Sequence, residues 1–386
     1  MNKYLELTMT HRVDIHGKKM MGWLAPLMLA LTLMVSSCSP ATEGQEGNDA
    51  WVTLTISTGG EAAQAKASDA ASRASGSAAD KDWQVNDLTI YIFDQTGQVI
   101  GSSYASYSIN SKQDITATVK TRKAQNCTVI ALANAGTLSG TYATAQTTSP
   151  FAGVSTLSEF LQKYITFKDM ASLESAPCLL MVGYLKGFDT TSTAKSSISL
   201  QRLASRLDFT ITVMDDKDTG LPIVVDSYQL CHTPLSAFYA PADMSSTGIT
   251  LPSGTSFVEY AANSTAFNSW TSGSNSQSYT AYVYANPATT ATDATYLLIK
   301  AHSQASNTDT RKIWQSEFKV YLTGLTGITG LADYQLLPNY HYTIGITVQG
   351  SATEHNGVKT VYTAYPYYSS SLSAWGSDEN RDLDMK

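Results

Sequence analysis

The run WVTLTIS at 51–57 puts Val52, Leu54 and Ile56 on one side of an extended chain and Thr53, Thr55 and Ser57 on the other. Strict apolar–polar alternation with β-branched residues is the signature of a strand with one buried and one wet face. The pattern recurs. Leu88, Ile90 and Ile92 share a face within 85–93, and Asp94-Gln-Thr-Gly97 follows as a turn. Similar runs predict strands at 115–119, 128–133, 179–184, 197–200, 207–213, 221–230, 279–285, 296–301, 313–322 and 340–348. Between them lie Ser/Gly/Asn-rich loops such as 271–278. One helix interrupts the strands. Thr156-Leu-Ser-Glu159 has capping-box spacing, and Leu157, Phe160, Leu161 and Tyr164 form a helical stripe suited to packing on a sheet. No repeat of about 20–50 residues is visible, which argues against a solenoid or propeller. Many short strands with frequent turns predict an all-β chain of two tandem β-sandwich domains, 49–201 with the short helix and 202–386.

The N-terminus carries a different signal. Residues 24–38 read LAPLMLALTLMVSSC, preceded by Lys18 and Lys19. A basic flank, a short apolar core and small residues are the layout of a secretory signal, and the core is too short to span a bilayer. Val35-Ser36-Ser37-Cys38 resembles a bacterial lipobox, in which the thiol carries the lipid. An ordinary signal peptide ending at a cysteine is the alternative. On the lipobox reading, 1–37 is a signal peptide with an extended start before Met20. Cys38 becomes the lipidated first residue, and 38–48 is a short acidic tether. More than one acyl chain makes such an anchor durable.

Other chemistry is sparse. Only 15% of the 386 residues are charged and the net charge is −7, with no basic cluster, which disfavours nucleic acid as a partner. If Cys38 is lipidated, Cys127, Cys178 and Cys231 remain, an odd number for a disulfide framework. Cys127 and Cys178 lie in apolar runs and read as buried thiols, with a Cys127–Cys178 bridge as the alternative. The histidines are scattered, with no HExxH, CxxC, GxSxG or phosphate loop. Asp215, Asp216 and Asp218 before Gly220 read as a hairpin turn, lacking the distal ligands of a calcium loop. No cofactor, metal site or catalytic constellation is predicted, and 22 tyrosines suit β surfaces and interfaces.

The organisation of the first domain is more informative. Strand 51–57 is followed by 59–82, where the stretch EAAQAKASDAASRASGSAADKD holds no apolar residue larger than Ala. Such a segment cannot bury enough surface to repay ordering and reads as an exposed linker. Arg73 is its only arginine, with Lys66 and Lys81 as other basic sites. A cut after Arg73 would release a strand bearing Val52, Leu54 and Ile56, leaving an apolar groove between unpaired strand edges. The extended stretch 358–375, with Val358, Val361, Tyr362, Tyr365, Tyr367, Leu372 and Trp375, is a candidate to refill it. A spacer behind a lipid anchor and an ordinary last strand explain the same residues.

Several segments in order carry a family likeness. They are the lipobox at Cys38, WVTLTIS, the linker with Arg73, VNDLTIYIFD at 85–94 with QTGQV, CTVIALANAG at 127–136, LQRLASRLD at 200–208 and LPNYHYTI at 337–344. Together they resemble the fimbrillins, or type V pilins, across most of the mature chain. The resemblance implies two transthyretin-like β-sandwich domains and export as a palmitate-bearing outer-membrane lipoprotein anchored at Cys38. It further implies cleavage by a trypsin-like protease, mapped to Arg73 with Lys66 and Lys81 as fallbacks. The C-terminal strand of one subunit, here about 358–375, would then fill the groove of the next. Partners would be other fimbrial subunits, and the destination a surface fimbrium supporting adhesion. Two departures stand out: the linker is long and Ala/Ser-rich, and the tail GSDENRDLDMK after Trp375 is acidic. They leave room for an uncleaved anchor subunit or for a tip subunit. A glycan-binding surface lipoprotein using Trp270 or Trp314 is a further alternative.

Overall fold

The computed structural model describes residues 48–58, 79–111, 113–138, 151, 153–192, 195–241, 250–273, 275–322, 334–351, 354–355, 358–359 and 366–374. All fall within the unit Glu46–Lys386. The first strands are β1 (Asp49–Ser57), β2 (Val85–Phe93), β3 (Val99–Ile109), β4 (Asp114–Arg122), β5 (Cys127–Ala133), β6 (Tyr164–Thr166), β7 (Met181–Phe188), β8 (Ser196–Ser199) and β9 (Gln201–Arg202). All but β6 join one eight-stranded sheet in the order β8-β1-β4-β3-β2-β5-β7-β9.

That sheet folds over at a single contact. β3 and β4 pair only at Gly101 and Thr121. A Cβ at Gly101 would lie 2.7 Å from the Thr121 Cβ and 2.8 Å from the Lys120 carbonyl oxygen, so only glycine admits this approach. The inward residues of β1 and β4 (Val52, Leu54, Ile56, Ile115, Ala117, Val119) share one core with Leu88, Ile90, Ile92, Val129 and Ala131. β4 alternates buried and exposed along its whole length, as a strand with one wet face must.

The other face of β2 and β5 points Tyr91, Phe93, Ile130 and Leu132 into a second core. Short helices α1 (Ala79–Trp83), α2 (Ala135–Leu138), α3 (Leu157–Leu161) and α4 (Met170–Glu174) punctuate this half. The capping box on α3 forms as its spacing predicts, with Thr156 and Glu159 satisfying each other's backbone N–H. The helix stops at Leu161, however, and Tyr164 stands in β6, which pairs with residues of the second half. Strand pairing thus overrides the last turn of the helical stripe.

The second half contains β10 (Ala204–Val213), β11 (Ile223–Cys231), β12 (Thr233–Pro234), β13 (Ser236–Phe238), β14 (Phe257–Val258), β15 (Phe267–Asn268) and β16 (Ser276–Tyr284). It continues with β17 (Tyr296–Ser306), β18 (Asp309–Tyr321), β19 (Tyr340–Val348), β20 (Glu354–His355), β21 (Val358–Lys359) and β22 (Pro366–Ala374). Two four-stranded sheets, β16-β10-β19-β22 and β15-β11-β17-β18, carry the core of this half. Leu207, Phe209 and Ile211 from one sheet and Val225, Leu297 and Ile299 from the other belong to one apolar cluster. The architecture is all-β sandwich, and the sheets change between Arg202 and Ala204. Cys127, Cys178 and Cys231 are buried free thiols. Burial pushes the Cys178 thiol up to about 12 and the Cys231 thiol up to about 11.

Candidate assembly groove

Strand β1 lies inside its sheet, not at an edge. It pairs antiparallel with β4 through nine residues, from Asp49 opposite Arg122 to Ser57 opposite Asp114. On its other side Leu54–Ser57 pair parallel with Ser196–Ser199 of β8. Val52, Leu54 and Ile56 are 4%, 0% and 0% exposed. The opposite face is wet: Trp51 stands 69% exposed. Small clasps close both ends. At the start, Asp49 pairs with Lys120 at 2.7 Å and the Lys123 N–H donates to the Asn48 carbonyl at 2.8 Å. At the finish, the Thr58 hydroxyl donates to the Gln113 carbonyl and accepts from its N–H, each at 3.0 Å. The Leu200 N–H donates to the Ser57 carbonyl at 2.8 Å.

Taking β1 away would leave a slot between β4 and β8. Its floor would hold Ile115, Ala117, Val119, Ile198 and Leu200, which share the core with β1. Both walls would present unpaired backbone groups, a template for an added strand.

The chain after the linker is held quite differently. Asp82, counted in the exposed linker from composition, is only 5% exposed in α1. Its carboxylate accepts from the Tyr282 hydroxyl at 2.6 Å and from Arg206 Nη1 at 3.2 Å. Arg202 Nε donates to the Asp82 carbonyl at 2.7 Å, and the Arg202 guanidinium stacks over Trp83 at 4.3 Å. Lys81 donates to the Glu174 carbonyl at 2.8 Å, at the end of α4 where a cation is favoured, and sits over the Tyr282 ring at 4.7 Å. Burial raises the Asp82 carboxyl above its ordinary value, against the pull of Tyr282 and Arg206. Burial likewise lowers the Lys81 ammonium and brings Arg202 down to about 10. None of these contacts has a local sequence signal, since the hydrogen-bonded partners lie 93 to 200 residues apart.

A second polar knot fixes the ALANAG segment. Asn134 has φ +69° and bridges the Gln84 and Leu179 carbonyls at 2.7 and 2.6 Å. Asp87 accepts from the N–H groups of Gly136 and Thr137 at 2.9 and 2.6 Å, capping α2.

The remaining sequence candidates are dispersed. Cys38, Lys66, Arg73, Val361, Tyr362, Tyr365 and Trp375 lie outside the described residues. Val358 pairs with His355 in the short β20–β21 ribbon. Tyr367 and Leu372 belong to β22, whose backbone pairs antiparallel with β19, Pro366 opposite Val348 and Ala374 opposite Tyr340. Strand β22 thus occupies the edge of the sheet β16-β10-β19-β22. Trp314 is partly buried and donates to Asp216 at 2.8 Å, and Trp270 is partly buried too. Among the described residues no group of three or more His, Cys, Asp or Glu is placed to hold a metal ion.

Comparisons with known proteins agree with this architecture. Residues 50–221 match the family model described as "Major fimbrial subunit protein (FimA)". A protein from Parabacteroides distasonis assigned to cell adhesion superposes with a TM-score of 0.60 at 18% identity, covering 86% of this chain and 99% of its own. A fimbrilin from Porphyromonas gingivalis superposes with a TM-score of 0.53 at 12% identity, covering 83% of this chain and 97% of its own. No curated protein matches the sequence. The structural likeness concerns the fold; the family match rests on 50–221, the stretch from the first strand through β10. Over that stretch, the chain is similar to the major fimbrial subunit family.

Proposed function

We propose that this protein is a fimbrial subunit made as a lipoprotein precursor and activated by loss of its first strand. Cys38 carries the lipid that holds the precursor at the outer membrane. A trypsin-like protease cuts the linker at Arg73, or at Lys66. Lys81 is a poor site for the cut, since its ammonium is tied to the end of α4. The slot vacated by β1 then takes the C-terminal segment 358–375 of another subunit. A head-to-tail contact of this kind does not close on itself, so it builds a filament at the cell surface.

The observation that carries this reading is the position of β1. It is hydrogen-bonded on both sides, yet it contributes three buried side chains from one face only. Such a strand can leave without taking the fold with it, and leaves a slot that only another strand fills. Donation also requires β22 to release β19, since the segment cannot occupy both sites.

The test is N-terminal sequencing and intact mass of the protein from the cell surface. A start at Ala74 without lipid, in polymers that resist mild denaturation, is the expected result. A lipid-modified start at Cys38 in a protein found at the fimbrial base would make it an anchor subunit. A monomer starting at Cys38 that saturably binds polysaccharide would replace the reading with a glycan-binding lipoprotein.

A further inference from the structure

The two ends of the β1 slot differ in charge. At the end where β1 begins, β4 finishes with Lys120 and Arg122, and Lys123 follows, all exposed. In the precursor this end is covered by β1 itself: Asp49 neutralises Lys120, and the Asn48 carbonyl takes the Lys123 N–H. Asp94 lies near enough to feel the Arg122 charge, but its carboxylate is engaged by Thr96 and Gln98. Thr190, bonded to the Arg122 and Ala124 backbone, brings Asp189 to the same end, but that carboxylate is engaged by Thr191. Departure of β1 removes Asp49 and leaves Lys120, Arg122 and Lys123 outnumbering the acids around the mouth. The opposite end of β4 carries exposed Asp114.

The segment proposed to fill the slot is asymmetric as well. Upstream of it the chain reads SATEHNG, with a single acid, Glu354. Downstream of Trp375 come Asp378, Glu379, Asp382 and Asp384 against Arg381 and Lys386. The first acid is three residues past Trp375, a reach of about 10 Å in extended chain.

We propose that the acidic tail of an incoming copy of this chain docks on the Lys120–Arg122–Lys123 end of the slot. This deepens the donor-strand reading above and rests on it. The pairing dictates direction. The donor's C-terminal end must lie where β4 ends, so the donor runs parallel to β4 and antiparallel to β8, opposite to the strand it replaces. Reversal costs antiparallel pairing with β4 and gains it with β8. Parallel and antiparallel ladders differ only slightly per residue, so the balance is open to the charges. Exposed ion pairs add little to the final affinity, but a cationic mouth facing an anionic tail steers the encounter and rejects the wrong polarity. Asp49 is then a placeholder that lowers the positive charge of this mouth until cleavage.

The experiment uses the full chain, cleaved in the linker and allowed to polymerise. Two double variants carry paired cysteines, Lys120→Cys with Asp378→Cys and Asp114→Cys with Asp378→Cys. The expected result is an intersubunit disulfide in the first and none in the second. In parallel, Asp378→Lys with Glu379→Lys should slow polymerisation by roughly tenfold at low ionic strength, with the difference fading in high salt. Adding Lys120→Glu and Lys123→Glu should restore the rate. A disulfide only in the Asp114 variant, or polymers that form neither disulfide and ignore the charge reversal, overturns the proposal while leaving strand donation intact. Cleaved wild-type chain that never polymerises overturns the donor-strand reading itself, and the docking with it.

Discussion

Strands β1 and β2 are both nine residues long and both interior to the same sheet, yet they are built in opposite ways. Every residue of β2 except Asn86 is buried, and its two faces feed two different cores. β1 buries Val52, Leu54 and Ile56 on one face and turns Trp51 and its neighbours to solvent on the other. Hydrogen bonding on both edges is therefore not the same as integration into the fold. Three aliphatic side chains are worth about 5–9 kcal/mol when fully buried. That is as large as the whole stability of many domains, which runs to about 5–15 kcal/mol. A body stripped of β1 would therefore be close to the limit of its stability, and refilling the slot would be strongly downhill.

The largest expected effect follows directly. A chain beginning at Ala74 should lose several kcal/mol of stability relative to the precursor and bind an apolar dye. Adding the peptide DAWVTLTIS should reverse both changes. Dye binding that the peptide leaves untouched would break the contrast, because the exposed surface would then lie elsewhere.

Next in size is a matched pair of core truncations. Leu54→Ala and Ile90→Ala should each cost about 2–5 kcal/mol in the precursor. After linker cleavage and strand loss, Ile90→Ala should still cost as much, and Leu54→Ala nothing. Thermal unfolding of both forms of both variants reads this out. Equal costs in the cleaved form would mean that β1 never leaves.

Asp82→Ala probes why the chain on the far side of the linker stays. It leaves the Tyr282 hydroxyl without its carboxylate and Arg206 with Asp208 alone, at a cost of about 2–3 kcal/mol, below the full penalty for a broken buried pair because Arg206 is partly exposed and keeps that second partner. Limited trypsin digestion should then produce a cut at Lys81 that the wild type resists. Resistance unchanged in the variant would show that the helix itself, not the clasp, protects Lys81.

These contrasts were legible in the sequence to different depths. The alternation in β1 and the capping box at Thr156 and Glu159 are local patterns, and both form as read. Tyr164 fits the helical stripe as well as any residue, but its pairing with Phe238 belongs to a strand 74 residues further on. The same limit hid α1: Asp82 looks like solvent-facing linker until Arg206 and Tyr282 arrive from the second half. β1 itself reads as an ordinary half-buried strand. Its place between β4 and β8 depends on contacts spread from 49 to 199, and no local period encodes that.

The smallest effect is the pH dependence of the clasp. Burial raises the Asp82 carboxyl above its ordinary value of 3.8, so the folded chain holds this proton more tightly than the unfolded one. Where the folded state binds more protons, stability rises as pH falls. Asp82 thus contributes least at neutral pH, where its charge is desolvated, and more as the pH drops through its raised folded value toward 3.8. Asp82→Asn removes the titration while keeping the shape. Over that interval, the stability of the wild type minus that of Asp82→Asn should increase on acidification. A difference that shrinks instead would mean that Arg206 and Tyr282 outweigh burial, turning the clasp from a desolvated strap into a conventional ion pair. The β2 side of the linker would then be held by charge, and raised salt should loosen it as readily as it loosens the exposed Asp49–Lys120 pair on β1.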